Sequence, residues 1–218
     1  MTDATSISEP GKPSFRVKEA RFLRSAPSLA ALGAAEGHEV AFLGRSNVGK
    51  SSLLGVLLDR SKLVRVSREP GRTRDINLFH VELARVQGDE SETRSLILID
   101  LPGYGYAKAS LKERARMSAL ISSYLRGREG LVAVCQLFDL RHAPSAADRE
   151  VHNGLRGAPY AHVRVATKAD KLPLARRKTT RKELAKELGC RPEDVVLFSA
   201  PERSGREEIW ERLWEHLP

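Results

Sequence analysis

Short unbroken apolar runs alternate along this chain with stretches whose apolar residues recur every three or four positions. Val40-Ala41-Phe42-Leu43 reads as a buried strand, and Ser51 to Leu58, with Leu53, Leu54, Val56, Leu57 and Leu58, reads as a helix. Asn77 to Val86 alternates, with Phe79, Val81 and Leu83 set against Leu78, His80, Glu82 and Arg85, and predicts a strand. Gly88-Asp89-Glu90 predicts a turn into a second strand, Ser95-Leu96-Ile97-Leu98-Ile99. Helical spacing covers 110–126, and Leu131 to Phe138 reads as another buried strand. A helix near 145–157, a strand at 160–166 and a basic helix at 178–188 follow. A short strand, Val195–Phe198, leads to a closing helix from about Gly205 to Leu217. Trp210 and Trp214 fall on one face of that helix and read as core.

Residues 1–13 read as a disordered tail punctuated by Pro10, Gly11 and Pro13. The pattern leaves 14–39 open, and 59–75 reads as a mobile, arginine-rich loop. Strands alternating with helices predict an α/β fold in three layers, within one domain spanning 14–218. Its sheet is mostly parallel, and the Asn77–Ile99 hairpin supplies one antiparallel edge strand. In such sheets ligands bind beyond the carboxyl ends of the strands.

The chemistry lies at those ends. Gly44-Arg45-Ser46-Asn47-Val48-Gly49-Lys50-Ser51-Ser52 satisfies G-x-x-x-x-G-K-[ST] between a predicted strand and a predicted helix. Glycines permit the sharp turn, and successive N–H groups with the helix N-terminus face a polyphosphate. Lys50 reaches the β- and γ-phosphates, and the Ser51 hydroxyl holds magnesium. The next strand ends in Asp100-Leu101-Pro102-Gly103. Asp100 can hold a magnesium-bound water, and Gly103 can offer its N–H to a γ-phosphate. Between them lies Pro70-Gly71-Arg72-Thr73-Arg74-Asp75, where Thr73 is the candidate for a second magnesium-binding hydroxyl. The bland alternative there is a simple Pro-Gly turn.

Strand 160–166 ends in Thr167-Lys168-Ala169-Asp170. A carboxylate at Asp170 can accept from the N1–H and the 2-amino group of guanine, a donor pair that adenine lacks. Lys168 can lay its stem over the base. Asp170 could also be a helix cap. The last short strand ends in Phe198-Ser199-Ala200, three further candidates for the base site, where a backbone N–H can donate to guanine O6.

Composition narrows the context. The chain has 218 residues, 41% of them hydrophobic, enough for a sizeable core. No apolar run is long enough to span a bilayer and no signal peptide is visible, which predicts a cytosolic protein. Two cysteines make no disulfide framework, and six scattered histidines make no zinc site. The net charge of +9 favours an anionic partner beyond the nucleotide. Cations cluster in Arg60 to Arg74 and in Lys171 to Lys186, as phosphate neutralisation of RNA requires, without the aromatics of a base-stacking platform.

These motifs, in this order, resemble the translation-factor-like GTPases. With Gly103-Tyr104-Gly105-Tyr106, Asp139-Leu140-Arg141-His142 and Lys171-Leu172 added, the chain is similar to the EngB (YihA/YsxC) family, over roughly 15–217. That family comprises bacterial single-domain GTPases linked to assembly of the large ribosomal subunit. The resemblance implies GTP and GDP binding, magnesium dependence, contact with ribosomal RNA or a pre-ribosomal particle, and an indirect tie to cell division. It also implies a potassium ion at Asn47, between the α- and γ-phosphates; the alternative is that Asn47 only caps the loop. Tyr104 stands where many GTPases carry a water-orienting glutamine, so slow hydrolysis is expected, resting on Lys50, Thr73, Gly103 and the metal. Tyr104 to Tyr106 read as a second switch, and Arg72 and Arg74 as either γ-phosphate or RNA contacts. Asp139 and Arg141 read as a loop-fixing pair, and His142 as a weak candidate base. A monomer is expected. The rival readings are an RNA-binding assembly module that uses GTP structurally, and a nucleotide kinase or ATPase.

Overall fold

A computed structural model describes residues 11–60, 63–64, 75–105 and 110–218. All strands named below join one mixed sheet, in the order β1-β3-β4-β2-β5-β6-β7. They are β1 (Ser14–Ala26), β2 (Glu39–Gly44), β3 (Ile76–Gln87), β4 (Glu90–Asp100), β5 (Leu131–Asp139), β6 (Ala161–Thr167) and β7 (Val195–Leu197). The helices are α1 (Leu29–Leu32), α2 (Lys50–Leu57), α3 (Leu111–Gly127), α4 (Ala146–Gly154), α5 (Leu174–Leu188) and α6 (Arg206–Trp214). From β4 to β7 every neighbouring pair is parallel, whereas β3 runs against both β4 and β1. The expected antiparallel strand is therefore β3, but it sits one place in from the edge because β1 covers it.

The segment 14–39, left open by the sequence pattern, contains this 13-residue edge strand. Its pairing with β3 slips between Val17 and Glu19 and again between Phe22 and Arg24. Each slip shifts the inward-facing positions by one, so the apolar residues Phe15, Val17, Ala20 and Phe22 do not keep a period of two. Helix α5 begins four residues before the expected start, and β4 five, taking in Glu90 of the expected turn; the other predicted elements agree within about three residues.

Side chains alternate across the sheet and divide the core. Val40, Phe42, Cys135 and Leu137 pack with Leu53, Leu54, Trp210 and Trp214 of α2 and α6. Ala41, Leu43, Ile99 and Val134 pack with Ile121 and Tyr124 of α3 and Leu155 just beyond α4. Phe138 and Ala166 meet Leu184, Ala185 and Leu188 of α5. Helices thus cover both faces, and both tryptophans are core as expected. At the amino end of β2, Glu39 is fully buried and accepts from Tyr124 Oη at 2.6 Å and Arg128 Nε at 2.7 Å. A buried charge needs such partners, and this one fastens α3 to the central strand far from the P-loop end.

Candidate nucleotide-binding site

The carboxyl ends of β2 and β4 are joined by backbone hydrogen bonds. Leu101 N–H donates to the Phe42 carbonyl at 3.1 Å, and Tyr104 N–H to the Gly44 carbonyl at 3.2 Å. Ser46 N–H donates in return to the Tyr104 carbonyl at 3.0 Å. Gly103 lies inside this contact. A Cβ there would sit 3.2 Å from Ser46 N and 3.3 Å from Ser46 Cα, so a side chain would push the two loops apart. Gly49 opens α2 at φ 107°, a backbone turn that L side chains rarely adopt.

These loops bound a cleft of about 310 Å³, lined by Arg45 to Asn47, Gly49 to Ser52, Asp75, Asn77, Asp100 to Gly103, and Lys168. Within it the Lys50 ammonium is paired with the Asp100 carboxylate, at 9% and 3% exposure. The Ser51 hydroxyl beside them is buried without a hydrogen-bond partner among the described residues. A buried orphan hydroxyl costs free energy unless something binds it. A hydroxyl and a carboxylate are hard oxygen donors, the set magnesium takes. The residues present therefore fit the metal that the motif implies. Asp75 and Asn77 also line the cleft and were missed. Asn77 is 4% exposed and accepts from Ser25 Oγ; a polar residue at the entry to an otherwise alternating strand was its only signal.

At the other end, Thr167 Oγ1 lies 2.6 Å from the Val48 carbonyl and 3.0 Å from that of Phe138, so β6 is tied directly to the P-loop. Lys168 adopts a left-handed backbone at φ 61° and reaches across to donate to the Asn47 carbonyl at 2.7 Å and Asp139 at 2.8 Å. Ala169 N–H donates to the Phe198 carbonyl at 3.1 Å, which brings the β7 end alongside. Asp170 accepts from Ser199 Oγ at 3.1 Å and pairs with Lys171 at 3.3 Å. Burial alone would raise its carboxyl pKa, but Ser199 and Lys171 outweigh that and hold it below the ordinary value.

Phe198 does not face this site: its ring is in the core, its N–H goes to Ala166 and its carbonyl to Ala169. Ser199 N–H is taken by the Ser204 carbonyl, which leaves Ala200 N–H for the role given to this pair. Asp139 and Arg141 do form a loop-fixing pair, with Arg141 Nε and Nη2 at 2.9 and 2.8 Å from the carboxylate. Burial pushes the Asp139 carboxyl up, yet Arg141 and Lys168 together hold it well below the usual carboxylate range. His142 lines a second, smaller cleft of about 200 Å³ with Asp139, Arg141 and Pro144, not the first. Pro70, Gly71, Arg72, Thr73, Arg74 and Tyr106 lie outside the described residues.

Tyr104 directs its side chain away from the cleft. The phenol is 6% exposed and donates to Asp148 Oδ1 at 3.0 Å, while Gln136 Nε2 approaches it at 3.4 Å. Burial, then the Asp148 charge, push its pKa far above the usual phenol value. Gln136 continues the chain to His162 Nε2 at 3.1 Å, and Asp148 closes the capping box of α4 with Ser145. Tyr104 is an anchor for the loop that carries Gly103.

Comparison with known proteins agrees with this geometry. Residues 39–168 match the family model described as a 50S ribosome-binding GTPase. The probable GTP-binding protein EngB of Anaeromyxobacter dehalogenans is 46% identical over 175 residues, 80% of each chain. That of Streptococcus pneumoniae is 37% identical over 204 residues, 93% of this chain and 99% of the relative. Among solved structures, a probable GTP-binding protein engB superposes with a TM-score of 0.63 at 23% identity, covering 81% of this chain and 97% of that one. Era, in complex with MgGDPNP and nucleotides 1506–1542 of 16S ribosomal RNA, superposes at 0.59 and 24% identity, covering 83% and 57%. At these identities the two superpositions establish the shared α/β fold. No described helix is long and apolar enough to cross a membrane. With its phosphate loop, its D-L-P-G contact and these relatives together, the chain belongs to the EngB family of GTP-binding proteins, among the 50S ribosome-binding GTPases.

Proposed function

We propose that this protein is a magnesium-dependent GTPase, slow in isolation, that acts as a monomeric cytoplasmic switch in assembly of the large ribosomal subunit. The observation that carries the reading is the buried Ser51 hydroxyl, without a partner among the described residues, beside the Lys50–Asp100 pair. The N–H groups of Asn47 and of Gly49 to Ser52, at the opening of α2, cradle the phosphates, while those of Ser46 and Val48 hold the loop's own path, and Lys50 turns from Asp100 to the β- and γ-oxygens. Ser51, Asp100 and Thr73 would hold the metal. Magnesium, when bound, neutralises charge on the phosphate oxygens. Leu101 and Pro102 carry the backbone to Gly103, whose N–H reads the γ-phosphate. Asp170 selects guanine, Lys168 covers the base between Thr167 and Ala169, and Ala200 N–H serves O6.

Hydrolysis adds water to the γ-phosphorus, breaks its bond to the bridging oxygen and releases GDP and phosphate. Because the Tyr104 phenol is held by Asp148, no side chain directly after Gly103 orients that water. Slow turnover follows; Asn47 would hold a potassium ion, or a ribosomal group would supply the missing charge. The ordered GTP form docks on ribosomal RNA or a precursor particle, and effects on cell division are indirect.

Calorimetry with GDP, GTP, ADP and ATP on wild type and Asp170→Ala tests the assignment. Guanine preference that collapses in the variant supports it; equal affinity for adenine nucleotides overturns it. The Tyr104 orientation also favours a second reading, an RNA-binding module for which GTP is a structural ligand. GTP binding with no turnover on large subunits would establish that reading instead.

A further inference from the structure

We infer that the outer face of α3 is a docking surface for RNA backbone phosphates, an inference that rests on the proposed ribosomal role. Lys112, Arg116, Ala119, Ser123 and Arg126 follow one another at steps of four and three residues, which places them on a single stripe of the helix. The opposite side of α3 is buried through Met117, Ile121 and Tyr124. All five stripe residues are exposed, and the stripe runs about 21 Å at 1.5 Å per residue. Ala119 and Ser123 between the cations let a phosphate chain approach the helix closely.

What separates this stripe from the other basic surfaces is how few carboxylates share its element. Among the described residues, Lys112, Arg116 and Arg126 have no carboxylate within ion-pair distance. The one acidic residue of α3, Glu113, caps the helix through Ser110. The β1 edge is different: Arg21 is paired with Glu19, Arg24 with Glu36, and Lys18 donates to Thr93. On α5, Arg177 is committed to Glu202; Arg176, Lys178, Arg181, Lys182 and Lys186 have no carboxylate within ion-pair distance among the described residues, but Glu183 and Glu187 lie among them on the same helix, Glu187 paired with Arg149. The outer α6 face carries Glu207, Glu208 and Glu211. Counterion release depends on free cations, and α3 presents them without local competition. Its aromatic residue, Tyr124, is fully buried, so the stripe has nothing to stack on bases and reads the backbone alone. Only residues 104–109 separate Gly103 from the helix cap Ser110, so the stripe stands directly downstream of the γ-phosphate sensor.

The test uses the full chain with a non-hydrolysable GTP analogue, sedimented with purified large subunits and with protein-free large-subunit RNA over a potassium chloride series. Lys112→Ala/Arg116→Ala/Arg126→Ala is compared with Arg16→Ala/Lys18→Ala/Arg21→Ala on β1, which removes the same charge. The expected result is that the α3 variant loses about 3 from the slope of log affinity against log salt, one per phosphate contact. The β1 variant stays near wild type, and nucleotide affinity is unchanged in both. An unchanged slope for the α3 variant, with wild type binding normally, overturns the inference. So does a loss seen on subunits but absent on protein-free RNA, which would identify an acidic protein partner. Failure of wild type to bind subunits in any nucleotide state overturns the ribosomal role itself.

Discussion

The two ends of the cleft, proposed above for the phosphates and for the base, are built by different means. At the phosphate end, loops meet through main-chain bonds: Ser46 to Tyr104, Tyr104 to Gly44, Leu101 to Phe42. At the base end they meet through side chains: Thr167 on Val48, Lys168 on Asn47 and Asp139, Ser199 on Asp170. A backbone-built site depends on glycines and chain path, and survives many side-chain changes. A side-chain-built site can be re-specified by one substitution. Affinity and base choice should therefore separate experimentally.

The largest effect expected is at Lys50. Lys50→Ala should weaken GTP on the order of a hundredfold and cost about 3–5 kcal/mol of stability, since Asp100 stays buried without its ammonium partner. Adding Asp100→Asn should restore the melting temperature and leave binding lost. Recovery of binding would show that the pair is merely structural. Asp170→Ala should weaken guanine nucleotides on the order of a hundredfold while leaving ADP and the melting temperature nearly unmoved; equal losses for both bases would erase the contrast between the ends.

Replacing potassium by sodium during turnover on large subunits should slow hydrolysis roughly tenfold if an ion at Asn47 supplies transition-state charge. Unchanged turnover would discard that ion.

A pH series separates the chain behind Tyr104 from both ends. Burial pushes His162 down to about 3, with Arg164 and His152 adding to it, whereas an unfolded histidine titrates near 6.5. Between those values the unfolded chain binds more protons. Stability is therefore full above about pH 6.5 and falls as pH drops, by at most about 1.4 kcal/mol per unit from this group. Denaturant melts from pH 7 to 5 should show the slope in wild type and lose part of it in His162→Gln. Guanine preference should hold across the same range, because Asp170 remains ionised. The smallest effect belongs to Tyr104→Phe, about 1 kcal/mol of stability for the bond to Asp148, with GTP affinity and turnover unchanged. A large loss of turnover there would put the phenol back into the reaction.

Motifs made of contiguous residues were legible in the chain, because a P-loop or a T-K-x-D stretch encodes its geometry locally. Alternation also found the β3–β4 hairpin. The edge strand β1 was not legible because two register slips break its period. The chain Tyr104, Gln136, Asp148, His162 could not be read either, since its members meet only when β4, β5, β6 and α4 pack together. One clue existed: Gln136 interrupts an otherwise apolar strand at a fully buried position. Phe198 was wrongly aimed at the ligand, because a strand's last residue and the first residue of its loop look alike in sequence.

Lys168 gives the two ends a shared lifetime. Its ammonium holds the Asn47 carbonyl of the phosphate loop while its own backbone leads to Asp170. If Lys168 covers the base as proposed, a base that leaves would pull on the same lysine that steadies the phosphate turn, and a phosphate that leaves would free the lysine over the base. Nucleotide exchange would then be a single cooperative event rather than a peeling from one end, and any factor that captures this one side chain would set the dwell time of the whole ligand.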